Sequence, residues 1–88
     1  MKTLEKTITV KINEGVHNRV ATRFAQIAQQ YNVQLFIVGE ELLDCSSVLD
    51  VLTMGFAFGT RIKFRAQGEE ADLAIAAVEE LLVKKEEP

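Results

Sequence analysis

The stretch "EGVHNRVATRFAQIAQQY", residues 14–31, joins two different hydrophobic periods, and its reading decides the fold. Just upstream, "TITVKIN" (7–13) alternates strictly, with Ile8, Val10 and Ile12 on one side and Thr7, Thr9 and Lys11 on the other. This is the pattern of a half-buried strand. Asn13, Glu14 and Gly15 break it. From Asn18 to Tyr31 the apolar positions are Val20, Ala21, Phe24, Ala25, Ile27, Ala28 and Tyr31, at helical spacing. Arg23, Gln26, Gln29 and Gln30 fall on the outer face of that helix. The chain's only histidine, His17, stands at the strand-to-helix junction, two residues after a glycine and two before an arginine.

Working outward, "VQLFIV" (33–38) reads as a second strand, rich in β-branched and aromatic residues. Gly39 and Glu40 supply a turn, and "ELLD" (41–44) returns as a short third strand. "VLDVLTM" (48–54) is a helix of about two turns, with Gly55 just past its end, where glycine commonly takes the left-handed conformation. "GTRIKFRAQ" (59–67) alternates again, Ile62, Phe64 and Ala66 against Arg61, Lys63 and Arg65, giving a fourth strand with a cationic, solvated face. Phe58 reads as a core residue where this strand begins. Glu69 and Glu70 open a last helix that buries Ala74, Ala77, Val78 and Leu81. Acids at its start and Lys84 and Lys85 near its end suit the helix dipole. The tail, residues 86–88, is expected to fray. The order β-α-β-β-α-β-α gives one sheet with its helices on a single face, because each strand offers one apolar side.

Composition bounds the function. At 88 residues the chain is expected to be one domain, residues 1–88, and 48% hydrophobic content is enough for one core. The net charge is −3 and there is no basic block, which argues against nucleic acid as the main partner. No apolar run approaches the roughly 20 residues needed to span a bilayer. The start, "MKTLEKTITV", has no continuous apolar region and does not read as a signal peptide. A single cysteine, Cys45, cannot close an internal disulfide. It fits a reducing cytoplasm, reads as a small buried hydrophobe, and lacks metal-ligand spacing around it.

The chemistry concentrates at His17. A helix start carries unpaired N–H groups and partial positive charge, and so suits an anion. A neutral imidazole there has a free lone pair and can act as a nucleophile. Arg19 could neutralise incoming phosphate oxygens, and Gly15 would relieve crowding on the approach. Nucleophile, cation and oriented donors together suit phosphoryl transfer, in which positioning and charge stabilisation do most of the work. Elsewhere, Ser47-x-x-Asp50 reads as a capping box with Asp in place of the usual Glu. Val48, Leu49, Leu52, Met54 and Phe56 are too many apolar positions for one short helix to bury, so part of this set is expected on the surface.

"GVHNRVATRF" resembles the active-site segment of HPr, the histidine-containing phosphocarrier of the bacterial sugar phosphotransferase system. The family pattern is Gly-(Leu/Ile)-His-Ala-Arg-Pro-Ala. This chain matches it at Gly15, His17, Arg19 and Ala21, with Val16 a conservative change. "SSVLDVLTMG" (46–55) is similar to the family's regulatory-serine segment, Lys-Ser-Ile-Met-Gly-Val-Met-Ser-Leu-Gly. The resemblance covers nearly the whole chain. It implies an α+β fold, an open-faced β-sandwich with three helices on one face of a four-stranded antiparallel sheet in the order 1-4-2-3.

The resemblance also implies a function. His17 would accept a phosphoryl group on Nδ1 from phosphorylated enzyme I, which takes it from phosphoenolpyruvate, and would pass it to a sugar-specific A domain. Arg19 would clamp the phosphoryl oxygens, helped by the backbone at Asn18 and Val20. Ser47 aligns with a serine that a dedicated kinase phosphorylates in relatives, which adds that kinase and a transcriptional regulator to the candidate partners. Thr22, Val48, Leu49, Leu52 and Phe56 would dock partners beside His17. The protein would be a carrier and not an enzyme, a cytoplasmic monomer needing no metal or organic cofactor.

Three departures stand out. Val20 replaces proline, which would preset φ and remove an N–H. Asp50 replaces a small glycine and would repel an acidic partner or select a different one. Asn18 replaces alanine and is itself a favoured N-cap, which would leave His17 outside the helix. The rival reading is a divergent regulatory interaction module that transfers little or no phosphoryl.

Overall fold

The computed structural model describes residues 2–83. The elements run β1 (Thr3–Thr9), α1 (Asn18–Gln30), β2 (Gln34–Val38), β3 (Leu42–Asp44), α2 (Val48–Thr53), β4 (Arg61–Gln67) and α3 (Ala71–Val83). The strands form one antiparallel sheet in the order β1-β4-β2-β3, so β4, the last strand in the chain, is central. Ile62, Phe64 and Ala66 of β4 are fully buried with Ile8 of β1 and Leu35 and Ile37 of β2. α1 buries Val20, Ala21, Phe24 and Ile27 against them, and α3 buries Ala71, Ala74, Ile75, Val78 and Leu82. Phe24 meets Phe64 edge to face at 5.3 Å between ring centres. No helix among the described residues is long and apolar enough to cross a membrane.

The alternation in β4 holds as expected, but three expectations need correction. The first strand covers Thr3–Thr9, not residues 7–13. Beyond Thr9 the chain leaves the regular ladder: the Val10 N–H donates to the Thr60 carbonyl, and the Lys11 N–H to the Leu82 carbonyl at the end of α3. Its earlier start is masked in sequence because the helix-side position Lys6 is charged. Lys6 reaches Glu79 of α3 at 2.7 Å, so its stem lies along the fold while its charge stays at the rim. In α3, Ile75 and Leu82 are the fully buried residues, whereas Ala77 and Leu81 are only partly covered, because the stripe facing the sheet is rotated by one position. Phe58 is 55% exposed and not part of the core: it sits in the turn before β4, where the Gly59 and Thr60 backbone holds the chain to Val10 and Ala57. Lys84, Lys85 and residues 86–88 lie outside the described residues.

The opposite face of the sheet is open. There Glu5 of β1 pairs with Arg65 at 2.5 Å and Lys63 at 3.3 Å, both from β4. These two cations, Arg65 first, hold the Glu5 carboxyl below its usual range. Lys2 does the same for Asp72 at the start of α3. A depressed folded-state pKa contributes stability while the carboxylate is ionised, and that contribution is lost as pH falls through the folded value. Thermal melts at stepped pH should therefore show Glu5→Gln less stable than the parent near neutrality, with the gap closing in acid. A gap that stays constant across the series would disprove the pairing as its source.

Cys45 is fully buried, and burial, with Asp44 next to it, pushes its thiol up to about 12. A disulfide-exchange reagent at about pH 8 should leave the folded protein unlabelled and label it on denaturation. Rapid labelling of the folded state would contradict this burial.

Candidate functional site

The connection from β1 to α1 is shaped by contact with the loop before β4. The Val16 N–H donates to the Phe56 carbonyl at 2.9 Å, and the Gly15 N–H to Ile12 at 2.9 Å. Gly15 has φ +73°, and a Cβ there would lie 2.5 Å from the Phe56 oxygen and 3.1 Å from Ala57 Cα. The glycine is therefore required by the approach of two backbones, not by room for a ligand. Val16, buried, completes the seal, and the chain emerges at His17.

His17 is the N-cap of α1, in extended conformation (φ −104°, ψ −171°). Its Nδ1 accepts from the Arg19 N–H at 3.3 Å, and its carbonyl accepts from the Ala21 N–H at 2.9 Å. Asn18 is thus the first helical residue and not the cap. Nδ1 thus faces the helix start, aimed at the Arg19 N–H. Among the described residues, the N–H groups of Asn18 and Val20 have no acceptor in the chain, as expected of a first turn. The Val20 side chain is buried in the core, while its N–H belongs to the open helix start.

Asn18, Arg19, Thr22, Arg23 and Gln26 line an open groove of about 440 Å³ along α1. Within it Arg23 Nη1 donates to Gln26 Oε1 at 2.9 Å. The sequence reading placed Arg23 merely on the outer helix face. That it shares a groove with Arg19 follows from their spacing of four residues.

α2 packs beside α1. Val51 is buried in the core, whereas Val48, Leu52 and Phe56 are half-buried against it. Leu49 (77% exposed) and Met54 (53%) stand in solvent, with Phe58 nearby in sequence adding a third large apolar side chain. Thr22 is exposed on α1. The expected apolar set is therefore divided: Leu49 lies outward, and Val48, Leu52 and Phe56 show one edge.

Ser47 is the N-cap of α2, but its side chain makes no capping hydrogen bond, so the capping box with Asp50 does not form. Asp44 organises this turn instead, its Oδ1 accepting from the Ser46 N–H at 2.9 Å and the Ser46 hydroxyl at 2.8 Å. Ser47, with ψ 90°, contributes its carbonyl to Val51, and its hydroxyl has no hydrogen-bond partner among the described residues.

Sheet order, helix placement and a histidine at the α1 start together define a class of small open-faced sandwiches that present an imidazole on a helix terminus. Residues 4–84 match the family model described as "PTS HPr component phosphorylation site". The chain belongs to the HPr family of phosphocarrier proteins. It is 33% identical over 79 residues to the phosphocarrier protein NPr of Shewanella violacea, covering 89% of this chain and 87% of the relative. It is 32% identical over 82 residues to the phosphocarrier protein HPr of Haloferax volcanii, covering 90% and 92%. Among solved structures, HPr-C-His from Thermoanaerobacter tengcongensis superposes with a TM-score of 0.78 at 28% identity, covering 90% of both chains. HPr from Bacillus anthracis shares the fold with a TM-score of 0.80 at 21% identity, covering 91% and 96%.

Gly15→Ala should lower stability by at least the roughly 1–2 kcal/mol of a left-handed non-glycine residue, since the new methyl also meets Phe56. Urea unfolding measures this. An increase in stability, the usual result of glycine replacement at an unstrained position, would show that the two loops do not touch as described.

Proposed function

We propose that this protein carries a phosphoryl group on His17 Nδ1, accepting it from phosphorylated enzyme I and delivering it to a sugar-specific A domain. The observation that supports this most is the capping geometry: Nδ1 faces the amides that a phosphate would need. In the step itself, the Nδ1 lone pair attacks phosphorus. The Nδ1–P bond forms as the donor–P bond breaks, and the donor keeps the electron pair of the broken bond. Once Nδ1 is bonded to phosphorus it no longer accepts from Arg19, and that N–H turns to a phosphoryl oxygen. The Asn18 and Val20 N–H groups and the helix dipole add to it. Here Val20 supplies a donor that proline would lack, at the cost of a less preorganised first turn. The Arg19 guanidinium balances the remaining charge.

The carrier works on docking, so Thr22, Leu49 and the exposed edges of Val48, Leu52 and Phe56 form the contact area on α1, α2 and the loop after α2. Ser47 is the regulatory position in this reading. Its hydroxyl has no hydrogen-bond partner among the described residues, and a phosphate on it would add negative charge next to Asp50 and change which partners dock, a kinase and a transcriptional regulator among them. The cytoplasm, where phosphoenolpyruvate is made, is the compartment this function requires.

Phosphorus NMR after incubation with phosphoenolpyruvate and enzyme I tests the proposal. The parent should give an acid-labile phosphoimidazole signal that His17→Ala lacks. Arg19→Ala should slow labelling by roughly 10–100-fold, the rate equivalent of a charge-assisted hydrogen bond. No signal in the parent, with a known HPr labelled in the same tube, would sink carrier function with that enzyme I and favour the regulatory module.

A further inference from the structure

From residue 24 to residue 60 the chain has no lysine, arginine or histidine, and its charged residues there are Glu40, Glu41, Asp44 and Asp50. All four are exposed. Among the described residues none of them lies within ion-pair distance of a cation, and Asp44 meets only the neutral Ser46. The acids of the sheet and of α3 are placed differently: Glu5 meets Lys63 and Arg65, Asp72 meets Lys2, and Glu79 meets Lys6.

The same stretch exposes large apolar side chains. Leu49, Met54 and Phe58 stand in solvent, and Leu52 and Phe56 between them show an edge. Val51 is buried, and Leu49, two residues earlier, lies about 200° around the helix from it, so the packing of α2 holds Leu49 outward. Asp50 stands beside Leu49 and one helical turn before Met54. Apolar side chains among polar ones make the anatomy of a docking surface, whose core excludes water and whose rim selects the partner by charge.

We infer that α2 and the loop after it dock a partner protein whose surface sets apolar side chains among lysines and arginines, with Leu49 as the apolar anchor and Asp50 as the selecting charge. A second copy of this face is the wrong occupant, because a two-fold contact would bring Asp50 against acids of the same kind. The inference does not rest on the carrier reading, since the surface has this chemistry whether or not His17 holds a phosphoryl group.

The test probe is a synthetic helix-forming peptide with leucine on one face and lysine on the other, beside a scrambled peptide of the same composition. Each is titrated into the isotope-labelled protein at stepped salt, and amide shifts are followed by NMR. The patterned peptide should move amides of residues 44–58. Leu49→Ser and Asp50→Lys, both at exposed positions, should each weaken binding about tenfold at low salt, the Asp50 effect fading as salt rises. Glu80→Lys, on the exposed side of α3, should leave binding unchanged. Shifts centred on α3, equal binding of the scrambled peptide, binding that survives either α2 substitution, or no shifts at millimolar peptide would each overturn the inference.

Discussion

Phe24 on α1 and Phe64 on β4 meet edge to face, both fully buried, and most of the molecule is arranged around that contact. β4 is paired on both sides, so Phe64 cannot move without disturbing β1 and β2. Phe24 fixes the rotation of α1 on the sheet. Once that rotation is set, Val20, Ala21 and Ile27 point inward and Arg19, Thr22 and Gln26 point out. The start of α1 is thereby held at the edge of the core, and His17 follows from it. The half-buried histidine is positioned by two buried rings.

The second constraint is local. Two loops distant in sequence, 10–17 and 54–60, are tied by hydrogen bonds between Val10 and Thr60, Gly59 and Val10, and Val16 and Phe56. This is why the glycine before the histidine matters. It permits a backbone approach that brings the α2–β4 loop, with its half-buried Phe56, to the side of the candidate site. A site and its docking surface can then be built from separate parts of the chain and still be held in register.

Four ion pairs tie the surface of the described residues. On the sheet and α3 side, each close ion pair joins elements that are already packed and exposed to solvent, where such pairs contribute little. Among the described residues, Arg19 and Arg23 of α1 have no carboxylate within ion-pair distance, and neither do Lys11 and Arg61.

The sequence by itself determined the period of each element. Ile62, Phe64 and Ala66 alternate with Arg61, Lys63 and Arg65, and burial follows that alternation, because a strand covered on one side leaves no other arrangement. The same holds for α1, and the Gly15, His17 and Arg19 spacing marked the candidate site without any coordinates. Tertiary structure decided what depends on neighbours distant in sequence. Lys6 stands on the helix side of β1 with its charge at the exposed rim beside Glu79 of α3, so the strand could not be seen from its own residues. Phe58 looks like a core residue until the turn turns it outward. The competition between His17 and Asn18 for the cap, and between Asp50 and Asp44 for the turn before α2, was settled by backbone angles that the surrounding packing imposes. Periodicity is written in local chemistry, whereas a cap, a strand boundary or an exposed ring is the outcome of contacts that exist only after the chain has folded.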